Sequence, residues 1–466
     1  MKKLLINLMS LLLISFLAIA QEAPVKELPP VGGEPKGFTL PPKQTFNLDN
    51  GLSGVMIPWG AIPKATIKMV IKTGNINEAA DEVWLSDLTA DLMQEGSINR
   101  DGNQIADAMA GMGGDLSIGV GPHTTTLTAS VLYEYVPDAV ALMGEVLTSP
   151  SFPEEELERL INDRKRQLSV SKTQPGPLAY EQFFANVYPD HSYGRYFPTA
   201  EMLDGFTIDK LKSFYDKNFG AQRTTVYIAG KFDATSAQEA VTQAFEGWKK
   251  GEPSNYPLAT PQTGGKIDMI DRPDAPQSTL IVGLPVIDPS NPDYVSLDIT
   301  NSLLGGSFGS RITSNIREDK GYTYSPFSTI NDRYKTAVWY EKADVTTDVT
   351  GPSLREITKE IYRLQDEVPS KEELDGIKNY EAGIYVLQNS TSSGIINQLS
   401  YLNTYDLPET FLTEKVKNIY AVTPEKVSEM VKQYIRPEDM TVVIVGDKAK
   451  IQEQIDQYEK ELQEKN

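Results

Sequence analysis

Two segments of this 466-residue chain match each other at a fixed offset, and this internal duplication constrains the fold more than any other feature. Residues 207–230 align with residues 423–446 at an offset of 216. Each segment begins with a Thr, continues with apolar residues at helical spacing and ends in an apolar run closed by Gly, as expected for a capped helix that leads into a buried strand. A second pair, residues 153–157 and 370–374, has an offset of 217. We infer two copies of one unit of a little over 200 residues.

Within each copy, predicted strands come early and amphipathic helices follow, with further strands interleaved. Residue alternation in two of these segments is typical of antiparallel neighbours. The fold class is therefore predicted as α+β, with two repeated domains that each consist of an antiparallel or mixed sheet with helices packed on one face. The predicted strands include residues 65–72 and 124–132 in the first copy and 278–284 and 337–345 in the second.

The join between the copies is marked by composition. Residues 250–266 are rich in Pro and Gly and have no periodic pattern, which indicates a linker. The predicted domains are thus residues 41–249 and residues 267–466.

The first residues have the pattern of a secretory signal peptide. Two Lys residues precede an apolar run that ends in Ala18-Ile19-Ala20, so we expect residues 1–20 to be removed by cleavage near Ala20-Gln21. A transmembrane anchor is the alternative, but the run is short for a bilayer. Residues 21–40 are rich in Pro and Gly and are predicted to form a tether. These features predict a periplasmic protein with no membrane span after signal cleavage.

Charge and cysteine content exclude several functions. The formal net charge of −20 becomes −22 without the two Lys residues of the signal peptide, and such a surface repels nucleic acid. The chain contains no Cys, so disulfides, thiolate chemistry and a lipoprotein anchor are excluded. Peptides are better tolerated partners than polyanions.

The segment 301–330 contains an ordered set of polar and glycine positions. A helix with apolar residues at every fourth position from Val295 is predicted to end at a Gly pair, and a second short helix follows. A strand in which Tyr322 and Tyr324 lie on one face is predicted next. Arg317 would then close a helix, and Tyr324 would open a strand.

This segment resembles the signature of the C-terminal domain of the pitrilysin/insulinase-like peptidases, the M16 family. In that family a Gly-rich loop, S-R and R-E-x-x-G-x-x-Y-S follow in this order, and the Arg and Tyr hold the substrate backbone beside a zinc ion carried by a different domain. The matching positions here are Gly305, Gly306, Ser310, Arg311, Arg317, Glu318, Gly321, Tyr324 and Ser325.

The resemblance implies both a fold and a set of binding residues. It implies the LuxS/MPP-like metallopeptidase fold, in which duplicated domains enclose a chamber. It also implies that Arg317 and Tyr324 bind the substrate, while Gly305 and Gly306 let the backbone approach a peptide closely. Without the resemblance, Arg317 and Tyr324 would be interpreted as a solvated charge and a half-buried aromatic residue.

The zinc motif of the family is degenerate in this chain. Catalytically complete members have H-x-x-E-H on a helix, where two His bind zinc and the Glu deprotonates water. Here the aligned positions are Asp87, Ala90 and Asp91, so both imidazoles are carboxylates and the base is a methyl group. The position of the third ligand is Gln167, beside Arg166, which would place a positive charge where the cation belongs. We therefore expect no metal in this chain.

Another cation at Asp87 and Asp91 is the alternative, because two carboxylates four residues apart can bind Ca²⁺ or Mg²⁺ weakly. Such ions require six or more oxygens, and no further acidic cluster lies at a position that matches the family. Two solvated acids on an exposed helix face are the preferred interpretation.

Two functions fit these features. The first is a non-catalytic, substrate-binding subunit of a heterodimeric M16 peptidase, which supplies Arg317 and Tyr324 to a zinc-bearing partner chain. The second is a peptide-binding or scaffold protein with an M16-like shell and no role in proteolysis. The presence of Arg317 and Tyr324 favours the first. A self-sufficient hydrolase of another class has no supporting motif.

Overall fold

The computed structural model describes residues 37–465, so the predicted signal peptide and residues 21–36 of the predicted tether lie outside the described residues. The first half of the described chain contains a six-stranded sheet in the order β1-β2-β6-β3-β5-β4. Strands β2 and β6 are parallel, and the other neighbours are antiparallel. The strands are β1 (Gln44–Asn47), β2 (Ser53–Pro58), β3 (Lys64–Ile71), β4 (Leu116–Val120), β5 (Thr125–Leu132) and β6 (Thr224–Gly230).

The second half repeats this arrangement without the first edge strand. Its five-stranded sheet has the order β7-β11-β8-β10-β9, with β7 and β11 parallel and the other neighbours antiparallel. The α+β class and the mixed sheets predicted from the sequence are confirmed. The strands are β7 (Ile267–Asp271), β8 (Gln277–Val286), β9 (Phe327–Arg333), β10 (Thr336–Thr346) and β11 (Thr441–Gly446).

Helices follow the strands in both halves. In the first half they are Leu85–Gln94, Gly102–Gly111, Val136–Thr148, Glu154–Thr173, Pro175–Val187, Ala200–Asp204, Ile208–Asn218 and Ala234–Phe245. In the second half they are Tyr294–Asn301, Arg311–Thr313, Thr350–Asp366, Lys371–Gln388, Ser392–Tyr405, Thr410–Thr413, Lys415–Ala421, Pro424–Tyr434 and Lys448–Lys465. Two π-helical segments, Ser302–Gly306 and Ser314–Asp319, lie between the first three helices of the second half. No helix among residues 37–465 combines the length and the apolar composition needed to cross a bilayer.

The duplicated helix–strand units form as the sequence pattern predicts. The Thr207 hydroxyl accepts a hydrogen bond from the Lys210 N–H at the start of one helix, and Thr423 accepts the equivalent bond from Lys426. The helices lead into β6 and β11, whose residues are buried along their whole length. A strand buried on both faces needs packing partners on both sides of its sheet.

The second face of each sheet is covered by a helix from the other half. Helix Pro175–Val187 packs on β8 and β11, where Phe183 lies against Val338 and Val443 in one buried cluster. Helix Ser392–Tyr405 begins 217 residues after Pro175 and packs on β3 and β6. Phe38, from the end of the predicted tether, joins the second cluster and contacts Tyr385 edge to face at 5.5 Å. Each half therefore covers its sheet with the equivalent helix of the other half. The domain bounds of residues 41–249 and 267–466 stay a prediction.

The segment after Gly321 differs from the sequence-based expectation. Strand β9 begins only at Phe327, so the strand predicted for Tyr322 and Tyr324 is wrong. Only Thr323 forms a bridge, to Val345 of β10, and Tyr324 lies in a bend. Pairing starts with that bridge, two residues after Gly321, and is interrupted at residues 324–326, which include Pro326, a residue with no N–H to donate to a ladder.

Candidate functional site

The degenerate zinc motif lies on helix Leu85–Gln94, where Asp87 and Asp91 are one turn apart on the same face. The guanidinium of Arg164, from helix Glu154–Thr173, lies between them. Its Nη2 is 2.6 Å from Asp91 Oδ2, and its Nη1 is 3.6 Å from Asp87 Oδ1. The same Nη1 donates a hydrogen bond to Gln167 Oε1 at 3.2 Å. One guanidinium therefore contacts the side chains at all three positions that carry zinc ligands in complete members of the family.

The charge near this motif comes from Arg164, and the expectation for Arg166 is wrong. The Arg166 side chain is 70% exposed and pairs with Asp163 on its own helix. It lies on another face of the helix, because two residues turn the side-chain direction by about 200°. Arg164 is one turn before Gln167, so its long side chain reaches the same place.

The side chains of the motif do not fit a zinc ion. Asp87 Oδ2 accepts a hydrogen bond from Asn75 Nδ2 at 2.8 Å, and the cation beside Asp87 Oδ1 and Asp91 Oδ2 is the guanidinium of Arg164. Burial raises the pKa of both Asp carboxyl groups, and the charge of Arg164 opposes that rise. Ala90 is buried and has no group that could accept a proton from water.

The two His residues lie elsewhere and have other partners. The His123 ring is buried, and its Nε2 is 2.7 Å from the Tyr193 hydroxyl. The His191 Nε2 is 3.1 Å from the Pro257 carbonyl oxygen. Within residues 37–465 no group of three or more His, Cys, Asp or Glu side chains is placed to hold a metal. The expectation of two solvated acids on an exposed helix face is wrong, because Asp87 and Asp91 are paired with Arg164 and their side chains are only 22% and 34% exposed.

Glu78 was not singled out from the sequence, yet it fixes the start of the motif helix. Its carboxylate accepts hydrogen bonds from the backbone N–H groups of Trp84 and Ser86, at 3.2 and 2.9 Å. These are donors that a helix N-terminus leaves unpaired, and Trp84 itself has left-handed backbone angles. Burial raises the pKa of Glu78 to about 7. No sequence pattern indicated this residue, because it precedes the helix by a full loop.

Arg317 and Tyr324 lie together, as the resemblance implies. The Arg317 guanidinium carbon is 5.1 Å from the centre of the Tyr324 ring and 4.5 Å from the centre of the Phe308 ring. Phe308 and Tyr324 are 71% and 80% exposed, so an arginine is held between two aromatic rings at the surface. Arg317 Nε is also 3.4 Å from Glu318 Oε1. Phe308 was missed in the sequence analysis, although a large aromatic residue within a Gly- and Ser-rich loop was a visible signal.

The two glycines of the motif have different surroundings. A Cβ added at Gly305 would lie 2.6 Å from Glu341 Oε2 and from Ser328 Oγ, so this glycine is required by packing within the chain. Gly306 is exposed, and a Cβ there would meet Asn301 Nδ2 at 2.6 Å. The surroundings therefore favour the predicted close approach of a peptide backbone at the exposed Gly306 more than at Gly305.

Arg311, which precedes this site, has a structural partner. Its Nε and Nη2 donate to the two carboxylate oxygens of Glu373, at 2.8 and 2.9 Å. This bidentate pair joins the short helix Arg311–Thr313 to helix Lys371–Gln388. Arg311 therefore positions the loop that carries Phe308. Within residues 37–465, no hydrogen bond, ion pair or ring contact joins the site of Arg317, Phe308 and Tyr324 to the ion-paired residues Asp87, Asp91 and Arg164.

Family models match most of the chain. A model described as "Insulinase (Peptidase family M16)" matches residues 61–197, and a model described as "Peptidase M16 inactive domain" matches residues 205–380. Together they cover more than half of the sequence, and the second match begins in the first half, before β6, and continues into the second half.

Relatives and solved structures agree with these models. An "Uncharacterized zinc protease" of Rickettsia felis is 25% identical over 392 residues, which are 81% of this chain and 93% of that protein. A "Non-peptidase homolog YmxG" of Helicobacter pylori is 22% identical over 397 residues, covering 84% of this chain and 90% of that protein.

The crystal structure of a peptidase M16 inactive domain from Pseudomonas fluorescens superposes with a TM-score of 0.80 at 22% identity, over 87% of this chain and 98% of that chain. A protease from Helicobacter pylori superposes with a TM-score of 0.82 at 17% identity, over 88% of this chain and 100% of that chain. These two likenesses concern the fold. The family models show that the chain belongs to peptidase family M16, with residues 205–380 matching the domain described as inactive.

Proposed function

We propose that this chain is the non-catalytic, substrate-binding subunit of a periplasmic heterodimeric M16 zinc metallopeptidase. The observation that carries the proposal is the arginine between two exposed rings, since it keeps the donors of Arg317 and the hydroxyl of Tyr324 at the surface. The Asp87–Arg164–Asp91 group has no place for zinc, so the hydrolytic centre belongs to a partner chain. That partner is an M16 subunit with an intact H-x-x-E-H motif.

The two side chains have separate tasks in this proposal. Arg317 donates hydrogen bonds to a carbonyl oxygen of the bound peptide and stabilises the negative charge that develops there during hydrolysis. Tyr324 donates a further bond from its hydroxyl. Stacking on two rings fixes the guanidinium before the substrate arrives, which lowers the entropy lost on binding. Zinc, when bound by the partner, supplies the activated water.

The localisation and the partners are part of the same proposal. The predicted signal peptide of residues 1–20 supports a periplasmic location for the mature chain. An acidic chain without a nucleic-acid-binding pattern is consistent with a peptide ligand.

The test is reconstitution with the zinc-bearing subunit. Either chain alone is expected to show little hydrolysis, and the mixture to show full turnover. Arg317→Ala is expected to lower turnover by about 10²–10³ because a preorganised donor matters most in the transition state. Tyr324→Phe, which removes one hydroxyl, is expected to lower turnover less. Assembly is measured in parallel by size-exclusion chromatography, and both variants are expected to assemble.

Matched controls separate this proposal from a scaffold. Arg166→Ala and Tyr380→Phe remove an exposed arginine and an exposed tyrosine outside the proposed site, and both should leave turnover unchanged. If Arg317→Ala and Tyr324→Phe reconstitute with unchanged kinetics, the shared site is wrong. A wild-type chain that binds peptide but never raises the activity of a zinc-bearing subunit would instead indicate a peptide-binding shell.

A further inference from the structure

A cavity of about 240 Å³ lies beside the degenerate zinc motif, at the junction of the two halves. Trp84 and Asp87 from the start of the motif helix form part of its wall. Arg195, just after a short turn of the first half, and Arg333, the last residue of β9, also line it. The wall of the cavity belongs to the first half except at Arg333, which comes from the second half.

The two arginines have little to bond with in the protein. Arg195 Nη1 donates to the carbonyl oxygen of Glu78 at 3.2 Å, and Arg333 Nη1 donates to the carbonyl oxygen of Asp332 at 3.0 Å. Neither forms an ion pair with a carboxylate of residues 37–465. The Nε of Arg333 is buried and has no hydrogen-bond partner. Since a guanidinium has five N–H donors, most of these donors are unused.

The acids in the wall do not neutralise this charge. The Glu78 carboxylate already accepts bonds from Trp84, Ser86 and Asn75, and its raised pKa of about 7 reduces its negative charge near neutral pH. Asp87 is held by Asn75 and by Arg164, as described above. The cavity thus holds two arginines that are not paired with the acids of its wall, although the chain as a whole is acidic.

Aromatic side chains fix the shape of the cavity. The Arg333 guanidinium carbon lies 5.6 Å from the Phe184 ring centre and 5.4 Å from the Tyr193 ring centre. Trp84 and Phe197 meet edge to face at 5.9 Å on the opposite wall. The volume is below the roughly 300–1,000 Å³ of pockets for drug-sized ligands, so it suits one residue of a longer ligand.

We propose that this cavity binds a carboxylate carried by a peptide, with Arg195 and Arg333 donating to its oxygens. A carboxylate accepts the paired donors of a guanidinium, and the aromatic walls pack on the carbon atoms that carry it. The carboxylate is either an Asp or Glu side chain or a free C-terminus, because both present the same group. The inference needs no partner subunit and does not depend on Arg317 or Tyr324.

The experiment uses the mature full-length chain and three peptides of equal length, measured by isothermal titration calorimetry. The first has a free C-terminus and no acidic residue, the second has one Glu and an amidated C-terminus, and the third has Gln in place of that Glu and is amidated. The first or the second is expected to bind, which identifies the source of the carboxylate, and the third is expected to bind at least about tenfold more weakly.

Variants assign the binding to the cavity. Arg195→Gln and Arg333→Gln are each expected to weaken the carboxylate peptide about tenfold, as for loss of one charge-assisted hydrogen bond. Arg272→Gln is the matched control, since Arg272 also donates to a single carbonyl, that of Thr173, but lies outside the cavity. If Arg333→Gln does not fold, as judged by circular dichroism, Arg195→Gln decides. Equal binding of all three peptides, no binding at millimolar concentration, or unchanged affinity in the arginine variants would each overturn the proposal.

Discussion

Arg164 supplies, within the chain, the positive charge that a metal ion supplies in zinc-bearing members of the family. Its guanidinium contacts both Asp87 and Asp91, whose carboxylates are largely removed from water. The degenerate motif is therefore an ion-paired contact between two helices, Leu85–Gln94 and Glu154–Thr173.

Arg164→Met is expected to lower the free energy of unfolding by about 2 kcal/mol, because it leaves two neighbouring carboxylates without their cation. This expected decrease in the free energy of unfolding is smaller than the decrease for a fully buried ion pair, since Asp91 is partly exposed to solvent. Arg166→Met, an exposed neighbour on the same helix, should change stability by less than about 0.5 kcal/mol. Urea unfolding at neutral pH measures both. Equal effects of the two variants would contradict the structural role of Arg164.

At the scale of elements, a buried acid joins two helices to strand β9. The Asp332 carboxylate accepts hydrogen bonds from Tyr294, at 2.8 and 3.0 Å, and from Tyr401, at 2.7 Å. Tyr294 begins helix Tyr294–Asn301, and Tyr401 lies on helix Ser392–Tyr405, which covers the sheet of the first half. Burial raises the pKa of Asp332 to about 6. This contact therefore couples the packing of that helix to pH.

The sign of the pH dependence follows from the direction of the shift. A carboxyl whose pKa is raised on folding binds more protons in the folded state, so stability decreases as pH rises from about 4 to about 6. The shift corresponds to about 2–3 kcal/mol between those limits. Asp332→Asn should remove this part of the pH dependence, whereas Asn at the exposed Asp107 should not. Urea unfolding at pH 4 and pH 7 compares them, and parallel pH profiles of wild type and Asp332→Asn would show that the idea is wrong.

Elements were more predictable than the contacts between them. The duplicated helix–strand units were predicted correctly because caps and apolar spacing act within some twenty residues. The strand at Tyr322 and Tyr324 was wrong, since two alternating aromatics do not reveal that the pairing is interrupted at residues 324–326, before β9 begins. Arg164 was missed because counting along the sequence identifies a Cα position, whereas a long side chain acts one helical turn away.

At the scale of the whole molecule, sequence patterns could not predict that the two halves exchange helices. Strands β6 and β11 are apolar on both faces, which indicates cover on both sides but not which element provides it. The structure shows the cover to be the equivalent helix of the other half in each case. At the two-arginine cavity, Arg333 from the end of β9 lines the same space as Trp84 and Asp87 of the first half.

The linker at 250–266 connects halves that this exchange holds together. Its middle is exposed, with Leu258 69% accessible, and is tied to the halves by single bonds. Arg223 donates to the Pro253 carbonyl at 3.1 Å, His191 Nε2 lies 3.1 Å from the Pro257 carbonyl oxygen, and the Tyr256 hydroxyl donates to the His123 carbonyl at 2.7 Å. The N–H of Gln262 donates to the Val187 carbonyl at 2.8 Å. A segment with so little buried surface should open at low free energy, so within residues 37–465 a protease should cut first between Pro253 and Pro261.

Limited thermolysin digestion should then give two fragments that still elute together in native buffer, because the exchanged helices bury apolar surface on both sheets. The fragments should separate in urea. Leu258→Gly is expected to slow the first cut by removing the apolar side chain that thermolysin recognises, and Val170→Gly, which removes another exposed apolar residue but lies on a helix, should not. A first cut inside either sheet would argue against the linker. Fragments that part in native buffer would show instead that the helix exchange contributes little to holding the halves together.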